Sequence, residues 1–371
     1  MFKHLKALDF SLLIAPFILS AISIALIFSL VFSSADASLA FRQGIFVSLG
    51  VIAMFIFALV DYRSFQGTWW IFYLISVLLL LYVEIFGFVS GGAARWIDLG
   101  FFKLQPSEIA KVGVIVTLAS YFSGKIGRSS IVNYIVSGIL TLVPLVLVLR
   151  EPDLGSGLVL VFIYILTVIL SKPSLKKSLA FSSIIATFLL IFVLAVANVS
   201  PFGGLLKDYQ RNRVMTFVDP DLDPYGQGYN VRQAQITLGS GGMFGQGLGR
   251  GSQSQLKFLP KPHTDFIFAG AGEALGFLGS MVIVLIYLYM IMRIFIIAGK
   301  ARDDFGMFIA LGVGAMFLFQ VCINIGMNLG LTPVTGIPLP FMSYGGSSIL
   351  VSFISLGIIQ SIYIRHKRLK F

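Results

Sequence analysis

The chain has 371 residues, of which 57% are hydrophobic and 12% charged, with a mean hydropathy of +0.94 and a formal net charge of +11. A soluble domain carries about 25% charged residues, so the composition excludes a soluble protein. Apolar runs long enough to cross a hydrocarbon core of ~30 Å recur, and they are continuous rather than alternating, which excludes a membrane β-barrel. No basic run is interleaved with exposed aromatic residues, so the charge does not indicate a nucleic-acid partner.

The apolar runs predict an all-α, polytopic membrane protein with about ten transmembrane helices in one domain, residues 1–371. The predicted spans are residues 10–33, 43–60, 69–88, 106–123, 132–149, 154–171, 178–199, 266–293, 305–330 and 347–364. The first span is too long for a cleaved signal peptide, so we interpret it as a retained anchor. A long hydrophilic loop, about 200–265, joins spans seven and eight.

The positions of Lys and Arg near the span ends predict that both termini are cytoplasmic. The side with more basic residues holds Lys3, Lys6, Arg63, Lys125, Arg128, Lys172, Lys176, Lys177, Arg293, Lys300, Arg302, Arg365, Lys367, Arg368 and Lys370. The short loops of the other side hold Arg42, Arg95, Lys103 and Arg150. The 200–265 loop then lies outside, because long loops translocate largely regardless of their charge.

The loop between spans three and four contains Arg95 and Trp96. A guanidinium group matches phosphate oxygens, which makes Arg95 a candidate phosphate ligand. Arg211 and Arg213 in the long loop are candidates for the same reason. Exposed arginines are often only solvated, however, and Trp96 alone is more simply explained as an interfacial anchor.

Span four begins with an acidic and a basic residue, although ionisable groups inside spans are costly and commonly mark a site. Glu108 and Lys111 are three residues apart, so they share a helix face and can pair. One interpretation is a mutually neutralising pair that fixes helix packing. The other is that Lys111 faces an external cavity and binds an anionic substrate, with Glu108 orienting it.

The connection between spans five and six is a polar turn that contains Glu151 and Asp153. Pro152 and Gly155 favour a turn at this point. The charged side chains either reach the membrane surface from an interfacial loop or lie beside a substrate cavity. Glu151 and Asp153 are therefore candidate substrate-binding residues.

A glycine-rich run extends from Gly239 to Gly251 in the long loop. It is either a tightly turning loop or a set of backbone N–H groups that approach a pyrophosphate. It is not a G-x-x-x-x-G-K-[ST] motif, so the sequence gives no indication of ATP as an energy source. Just before it, residues 228–236 predict a short amphipathic helix on the membrane surface.

Asp265 lies where the hydrophilic loop meets the apolar run 266–292, so its carboxylate is close to water and lipid at once. Such a position suits chemistry on a polar head carried by a lipid tail. His263 has no second His or Cys at ligand spacing, which excludes a zinc site. Mg²⁺ or another divalent cation, held by carboxylate and pyrophosphate oxygens, is left open. Cys322 in span nine is interpreted as a small buried residue.

The last predicted external loop, residues 332–348, combines prolines and glycines with apolar residues and cannot form a long regular helix. At membrane depth, such backbone must be buried in protein or line a cavity. We predict a re-entrant segment that walls a lipid-accessible groove, with Ser343 as a candidate substrate contact.

Five of these segments, taken together and in order, resemble the SEDS family (shape, elongation, division, sporulation). They are Arg95–Gly100, Gln105–Lys111, Glu151–Gly155, His263–Phe268 and Pro338–Ser347. They are spread over nearly the whole chain, so the resemblance is specific. Residues 336–340 and the short N-terminal segment are more similar to the elongation branch of the family than to its division branch.

The resemblance implies a peptidoglycan glycosyltransferase of the bacterial cytoplasmic membrane that polymerises lipid II on the outer face, for cell elongation and shape. Its implied partners are a class B penicillin-binding protein, which supplies transpeptidation, and membrane proteins of the elongation machinery. We hypothesise that Asp265 is the general base and that cationic side chains stabilise the leaving pyrophosphate. A single displacement would invert the anomeric centre. A lipid II flippase and a non-enzymatic scaffold are the alternative functions.

Overall fold

The computed structural model describes residues 7–31, 38–90, 93–100, 102–125, 131–171 and 208–366 except 257, 260 and 261, and a few isolated positions between 183 and 199. The helices are α1 (Phe10–Val31), α2 (Ser38–Leu59), α3 (Ser64–Gly67), α4 (Trp69–Phe86), α5 (Pro106–Phe122), α6 (Ile131–Arg150), α7 (Leu154–Leu170), α8 (Asp208–Val218), α9 (Gln227–Ser240), α10 (Ser252–Gln255), α11 (Ile267–Lys300), α12 (Asp304–Asn328) and α13 (Gly346–Ile364). The predicted all-α class is confirmed.

Seven helices within the described residues are long and apolar enough to cross a membrane, namely α1, α2, α4, α6, α11, α12 and α13. α7 is apolar but shorter, and α5 has 17 residues, most of them buried. Each of these nine helices coincides with a predicted span. Most of the predicted span 178–199 lies outside the described residues, so the number of spans and the orientation of the chain stay predictions.

The centre of the bundle is formed by α5, α12 and α13, and α13 packs closely along α2. Glycines permit this approach. A Cβ on Gly50 would contact the ring of Phe353 too closely, and a Cβ on Gly357 would do the same to the main chain of Met54. Small residues at helix contacts are the usual way in which membrane helices pack tightly.

A small antiparallel sheet, which the sequence analysis did not predict, precedes α5. Its strands are β1 (Phe88–Ser90), β2 (Ala93–Asp98) and β3 (Lys103–Leu104). A glycine pair at positions 91 and 92 between two short β-prone runs was the available hairpin signal. β3 is attached to the bundle because Ser347, at the start of α13, donates a hydrogen bond to the carbonyl of Lys103 at 2.8 Å.

The long hydrophilic segment contains α8, a 3₁₀ turn at Pro220–Leu222, α9 and α10. α9 confirms the helix predicted at residues 228–236 and packs against α11 and α12. The described part of the hydrophilic segment, from residue 208 onwards, is therefore a folded layer on one end of the bundle.

Two expectations are corrected. Predicted span eight, 266–293, is part of a longer helix, α11, which is interrupted at Gly276. Cys322 is exposed rather than buried. An apolar side chain in a membrane protein can face lipid as readily as the protein interior, so the apolar character of Cys322 did not distinguish the two.

Candidate active site

Asp265 lies half-buried in a turn of residues 262–266, directly before α11. We call these residues the Asp265 turn. The main-chain carbonyl of Asp265 accepts hydrogen bonds from the side-chain amides of Asn324 and Asn328, both at 3.2 Å. The Asn328 side chain also accepts from the main-chain N–H of Ala269 at 3.0 Å. The last turn of α12 thus fixes the backbone that carries the Asp265 carboxyl group.

The non-helical segment before α13 supports the Asp265 turn from another side. The main-chain N–H of Tyr344 donates to the carbonyl of His263 at 2.8 Å. The hydroxyl of Ser343 donates to the carbonyl of Thr264 at 2.7 Å and accepts from the N–H of Leu339 at 2.8 Å. Ser343, a predicted substrate contact, therefore uses its hydroxyl to support the turn.

The irregular, enclosed backbone predicted for residues 332–348 is confirmed, with Leu339, Phe341 and Met342 fully buried. A groove of about 870 Å³ lies elsewhere in the bundle, and this segment does not line it. That groove lies between α1 and α2 and is lined by Ala21, Ile24, Ala25, Phe28, Ala40, Phe41, Gly44, Ile45, Ser48 and Leu49. The segment is instead bonded to α1, because the hydroxyl of Ser23 donates to the carbonyl of Met342 at 2.5 Å.

Glu108 and Lys111 form the predicted ion pair, with 2.7 Å between Nζ and Oε1. Their side chains are only 2% and 1% exposed. The interpretation that Lys111 faces an external cavity does not fit this arrangement, because α5 is surrounded by α4, α7, α12 and α13. The pair is an internal contact of the bundle, as the packing interpretation predicted.

Asp153 joins α7 to α5. Its carboxylate accepts hydrogen bonds from Gln105 Nε2 at 3.1 Å, from the hydroxyl of Ser107 at 3.0 Å, and from the N–H of Ser156 at 3.1 Å. The last bond caps the N-terminus of α7. Both carboxylate oxygens of Asp153 are therefore engaged in holding two helices together.

Arg95 and Glu151 meet at the adjacent turn, residues 151–153, which we call the Glu151 turn. Arg95 Nε donates to the carbonyl of Glu151 at 2.9 Å, and Nη2 donates to the carbonyl of Pro152. The Glu151 carboxyl group is buried and neither oxygen has a hydrogen-bond partner. Burial, together with the charges of Asp153 and Glu84, raises the pKa of Glu151 to about 8, although Arg95 opposes the shift. The raised pKa favours the protonated form of Glu151.

The other predicted arginines lie on α8. Arg213 Nη1 donates to the carbonyl of Thr335 at 3.3 Å. The next residue, Gly336, borders the Asp265 carboxyl group, which would lie 4.0 Å from a Cβ at that glycine. Arg211 Nε instead donates to the carbonyl of Val196 at 3.1 Å. The structure thus brings Arg213 to the edge of the Asp265 site, whereas Arg211 is directed towards another segment.

Several residues that build this region were missed. Asn324 and Asn328 are one turn apart in an otherwise apolar helix, and that polar pair was the available signal. Burial raises the pKa of Tyr344 and the exposed Arg42 opposes that shift, so a cation lies close to the Asp265 turn. Trp96, the remaining predicted contact, is half-buried on β2 and is paired with Phe88.

The residues present do not form a resident metal centre. Among the described residues, no three His, Cys, Asp or Glu side chains converge on a point where an ion could bind. A Mg²⁺ ion at Asp265 would need most of its oxygen ligands from the substrate, so we assign no metal-dependent step.

Comparison with known proteins agrees with the motifs. The profile of the FtsW, RodA and SpoVE cell cycle proteins matches residues 4–368. The peptidoglycan glycosyltransferase MrdB of Escherichia coli is 38% identical over 87% of this chain and 85% of its own. The peptidoglycan glycosyltransferase RodA of Treponema pallidum is 30% identical over 96% and 98%. The chain belongs to the FtsW/RodA/SpoVE family.

Similarity to a solved structure supports the fold as well as the family. A chain of a peptidoglycan synthase complex, in which polymerisation and crosslinking are coordinated, superposes with a TM-score of 0.78 at 29% identity. The match covers 97% of this chain and 98% of that one. The protein is therefore a multi-pass membrane glycosyltransferase of the SEDS type, similar to RodA, and the predicted family and enzyme class are confirmed.

Proposed function

We propose that this glycosyltransferase polymerises lipid II into peptidoglycan strands at the outer face of the bacterial cytoplasmic membrane. The observation that carries the proposal is the Asp265 turn. It presents a half-buried carboxyl group where a polar layer meets a long apolar helix, and Asn324, Asn328 and Ser343 hold its backbone. A lipid-linked sugar needs a site of this kind, since its head is polar and its tail stays in the membrane.

The proposed reaction is one displacement at an anomeric carbon. The acceptor's sugar 4-hydroxyl attacks, its proton passes to the Asp265 carboxylate, and the donor's bond to pyrophosphate breaks, with the electron pair leaving on the pyrophosphate. A positioned base of this kind contributes roughly 10²- to 10⁴-fold. One displacement inverts the configuration and requires no covalent enzyme intermediate.

Cationic side chains near the Asp265 turn would stabilise the leaving pyrophosphate. Among the residues that the structure describes, Arg42, beside Tyr344, and Arg213, beside Thr335, lie near the turn. Arg95 is engaged with two main-chain carbonyls, and Lys111 is enclosed with Glu108. Arg95 and Lys111 therefore act on the substrate only if these contacts rearrange, which makes them secondary candidates.

The partner proposal follows from the same chemistry. Glycan strands acquire strength when their peptides are crosslinked, and the solved relative belongs to a complex that coordinates polymerisation with crosslinking. We therefore extend the proposal to a class B penicillin-binding protein as partner, within the elongation machinery.

The test is polymerisation of purified lipid II by the full chain and by Asp265→Asn, which keeps the size of the side chain and removes its basicity. We expect at least a ~100-fold loss of polymer, with thermal unfolding unchanged. Polymer within a few-fold of the wild-type amount would falsify the assignment of Asp265. Transbilayer movement of a labelled precursor without any polymer would favour a flippase, and absence of both would favour a scaffold.

A further inference from the structure

The longest helix is interrupted close to the candidate base. α11 has 34 residues, and an unbroken helix of that length would measure about 51 Å, well beyond a hydrocarbon core of ~30 Å. Gly276 breaks it, with φ 70° and ψ −169°. The break separates a first part, which begins beside Asp265, from a longer second part. It also removes intrahelical partners from main-chain groups on both sides, which is costly at membrane depth.

The glycine-rich loop restores those partners. The N–H groups of Phe277 and Leu278 donate to the carbonyls of Gly242 at 2.8 Å and Met243 at 3.1 Å. The carbonyls of Glu273 and Ala274 accept from the N–H groups of Gln246 at 2.9 Å and Gly247 at 3.0 Å. In a regular helix, Phe277 and Leu278 would donate to Glu273 and Ala274. The loop therefore takes the place of two consecutive hydrogen bonds of the helix.

We call this arrangement, residues 241–247 against residues 272–278, the helix splice. Its backbones lie so close that a Cβ on Gly241 would overlap the carbonyl oxygen of Gly272, and one on Gly245 would overlap that of Ala274. This accounts for Gly241 and Gly245 of the glycine-rich run. It also removes the N–H groups of Gln246 and Gly247 from the pyrophosphate-binding interpretation, because both already donate to α11.

Glu273 forms a second connection in the same place. Its side chain is buried, at 1% exposure, and its carboxylate accepts from the N–H of Gln253 at 2.7 Å. It also accepts from the N–H of Ser254 at 3.2 Å and from the hydroxyl of Ser254. A Cβ on Gly251 would overlap this carboxylate. Asp265 lies between Ser254 and Glu273 in the sequence. These hydrogen bonds therefore link the two ends of the segment that carries the proposed base.

We propose that the helix splice and Glu273 position Asp265 for the transfer reaction, and that Glu273 is a positioning residue. The splice joins the first part of α11 to the loop that follows α9. Because the helix is broken at Gly276, the first part of α11 can run in a different direction from the second part. Asn324 and Asn328 then hold the start of the same short segment. This role rests on the proposed function of Asp265 as general base. It predicts that loosening the splice lowers kcat without weakening the binding of lipid II.

The decisive comparison is Gly241→Ala against Gly239→Ala. Gly241 has φ −72°, which alanine adopts readily, so the substitution acts only through the overlap with Gly272. A Cβ on Gly239 meets nothing within 4 Å. For Gly241→Ala in the full chain we expect faster hydrogen–deuterium exchange in residues 262–278. We also expect a kcat reduced by roughly 10- to 100-fold, as for a misplaced catalytic group, and an unchanged dissociation constant for lipid II. Gly239→Ala should behave as wild type.

Glu273→Gln and Glu273→Ala provide a second test if Gly241→Ala does not fold. Glutamine keeps only one of the two acceptor oxygens, so one of the N–H groups of Gln253 and Ser254 loses its partner, whereas alanine removes both acceptors. We therefore expect a smaller loss of kcat for Glu273→Gln than for Glu273→Ala, which should resemble Gly241→Ala. Unchanged exchange, or faster exchange with normal kcat, would overturn the positioning role. Full activity of Asp265→Asn would overturn the proposed function and with it the role of Glu273, while the exchange measurements would still report on the splice.

Discussion

The Asp265 turn and the Glu151 turn each place a carboxyl group near the same end of α5 and α12, but they are built in opposite ways. In the Asp265 turn, asparagine and serine side chains bond the main-chain carbonyls, and the acid itself stays half-exposed. In the Glu151 turn, an arginine bonds the main-chain carbonyls, and the acid is buried without a hydrogen-bond partner.

The difference shows that a nearby cation does not by itself keep an acid charged. Arg95 donates to two main-chain carbonyls, and burial raises the pKa of Glu151 to about 8 although the charge of Arg95 lowers it. Neutral amides are sufficient to fix Asp265, and they leave its carboxyl group near the polar layer. A general base must reach its substrate in an ionised form, so the Asp265 turn is the better suited of the two.

The largest effect on stability is expected beside the Glu151 turn, at the buried pair on α5. Lys111→Met leaves the Glu108 carboxylate buried and uncompensated, which costs about 3–5 kcal/mol in the free energy of unfolding. The double variant Glu108→Gln/Lys111→Met should recover most of that loss, since two neutral side chains pack without desolvated charge. Thermal unfolding in detergent measures both.

The exposed pair Arg150–Glu84, with side chains 63% and 32% exposed, is the matched control. Arg150→Met should change the free energy of unfolding by about 1 kcal/mol or less. If Lys111→Met is as mild as Arg150→Met, the pair is not a packing element, and the interpretation that Lys111 serves a substrate cavity gains support.

At the Asp265 turn, Asn328→Ala removes bonds to Asp265, Ala269 and Asn324. We expect a loss of about 1–3 kcal/mol in the free energy of unfolding, because buried main-chain groups lose partners, together with a lower kcat. Gln235→Ala is the control, since Gln235 donates to the carbonyl of Leu329 from an exposed position. A normal kcat in a destabilised Asn328→Ala would separate the fold of the turn from its proposed catalytic role.

At the Glu151 turn, the raised pKa predicts a pH effect of unusual sign. Between the ordinary glutamate pKa of 4.5 and the folded value of about 8, the folded protein holds a proton that the unfolded chain has released. The free energy of unfolding therefore falls as pH rises through this window, by at most about 1.4 kcal/mol per pH unit from this group. Glu151→Gln should remove that slope, whereas Glu84→Gln should keep most of it. An equal slope in wild type and Glu151→Gln would show that Glu151 is ionised throughout.

The sequence was sufficient to predict the class of protein and the spans that the structure describes, because each of these is a local pattern, whereas the role of Asp265 stays a prediction. The sequence was not sufficient for the partners of the candidate site residues. Nothing in the segment around Arg95 shows that its guanidinium bonds the Glu151 turn, since the two are brought together only by the packing of β2 against α4 and α5. Likewise, the glycine-rich run could be understood only once Gly276 was seen to interrupt α11.

The smallest effect is expected for Arg95→Lys. Lysine keeps the charge but has no planar fork with which to reach the carbonyls of Glu151 and Pro152 together. The loss of one such bond costs about 1 kcal/mol, so we expect a small drop in thermal stability and near-normal polymerisation. If Arg95→Lys instead abolishes polymerisation while the protein stays folded, Arg95 must leave the Glu151 turn to contact the pyrophosphate. The freed turn would then expose Glu151, and the two turns would belong to one substrate site.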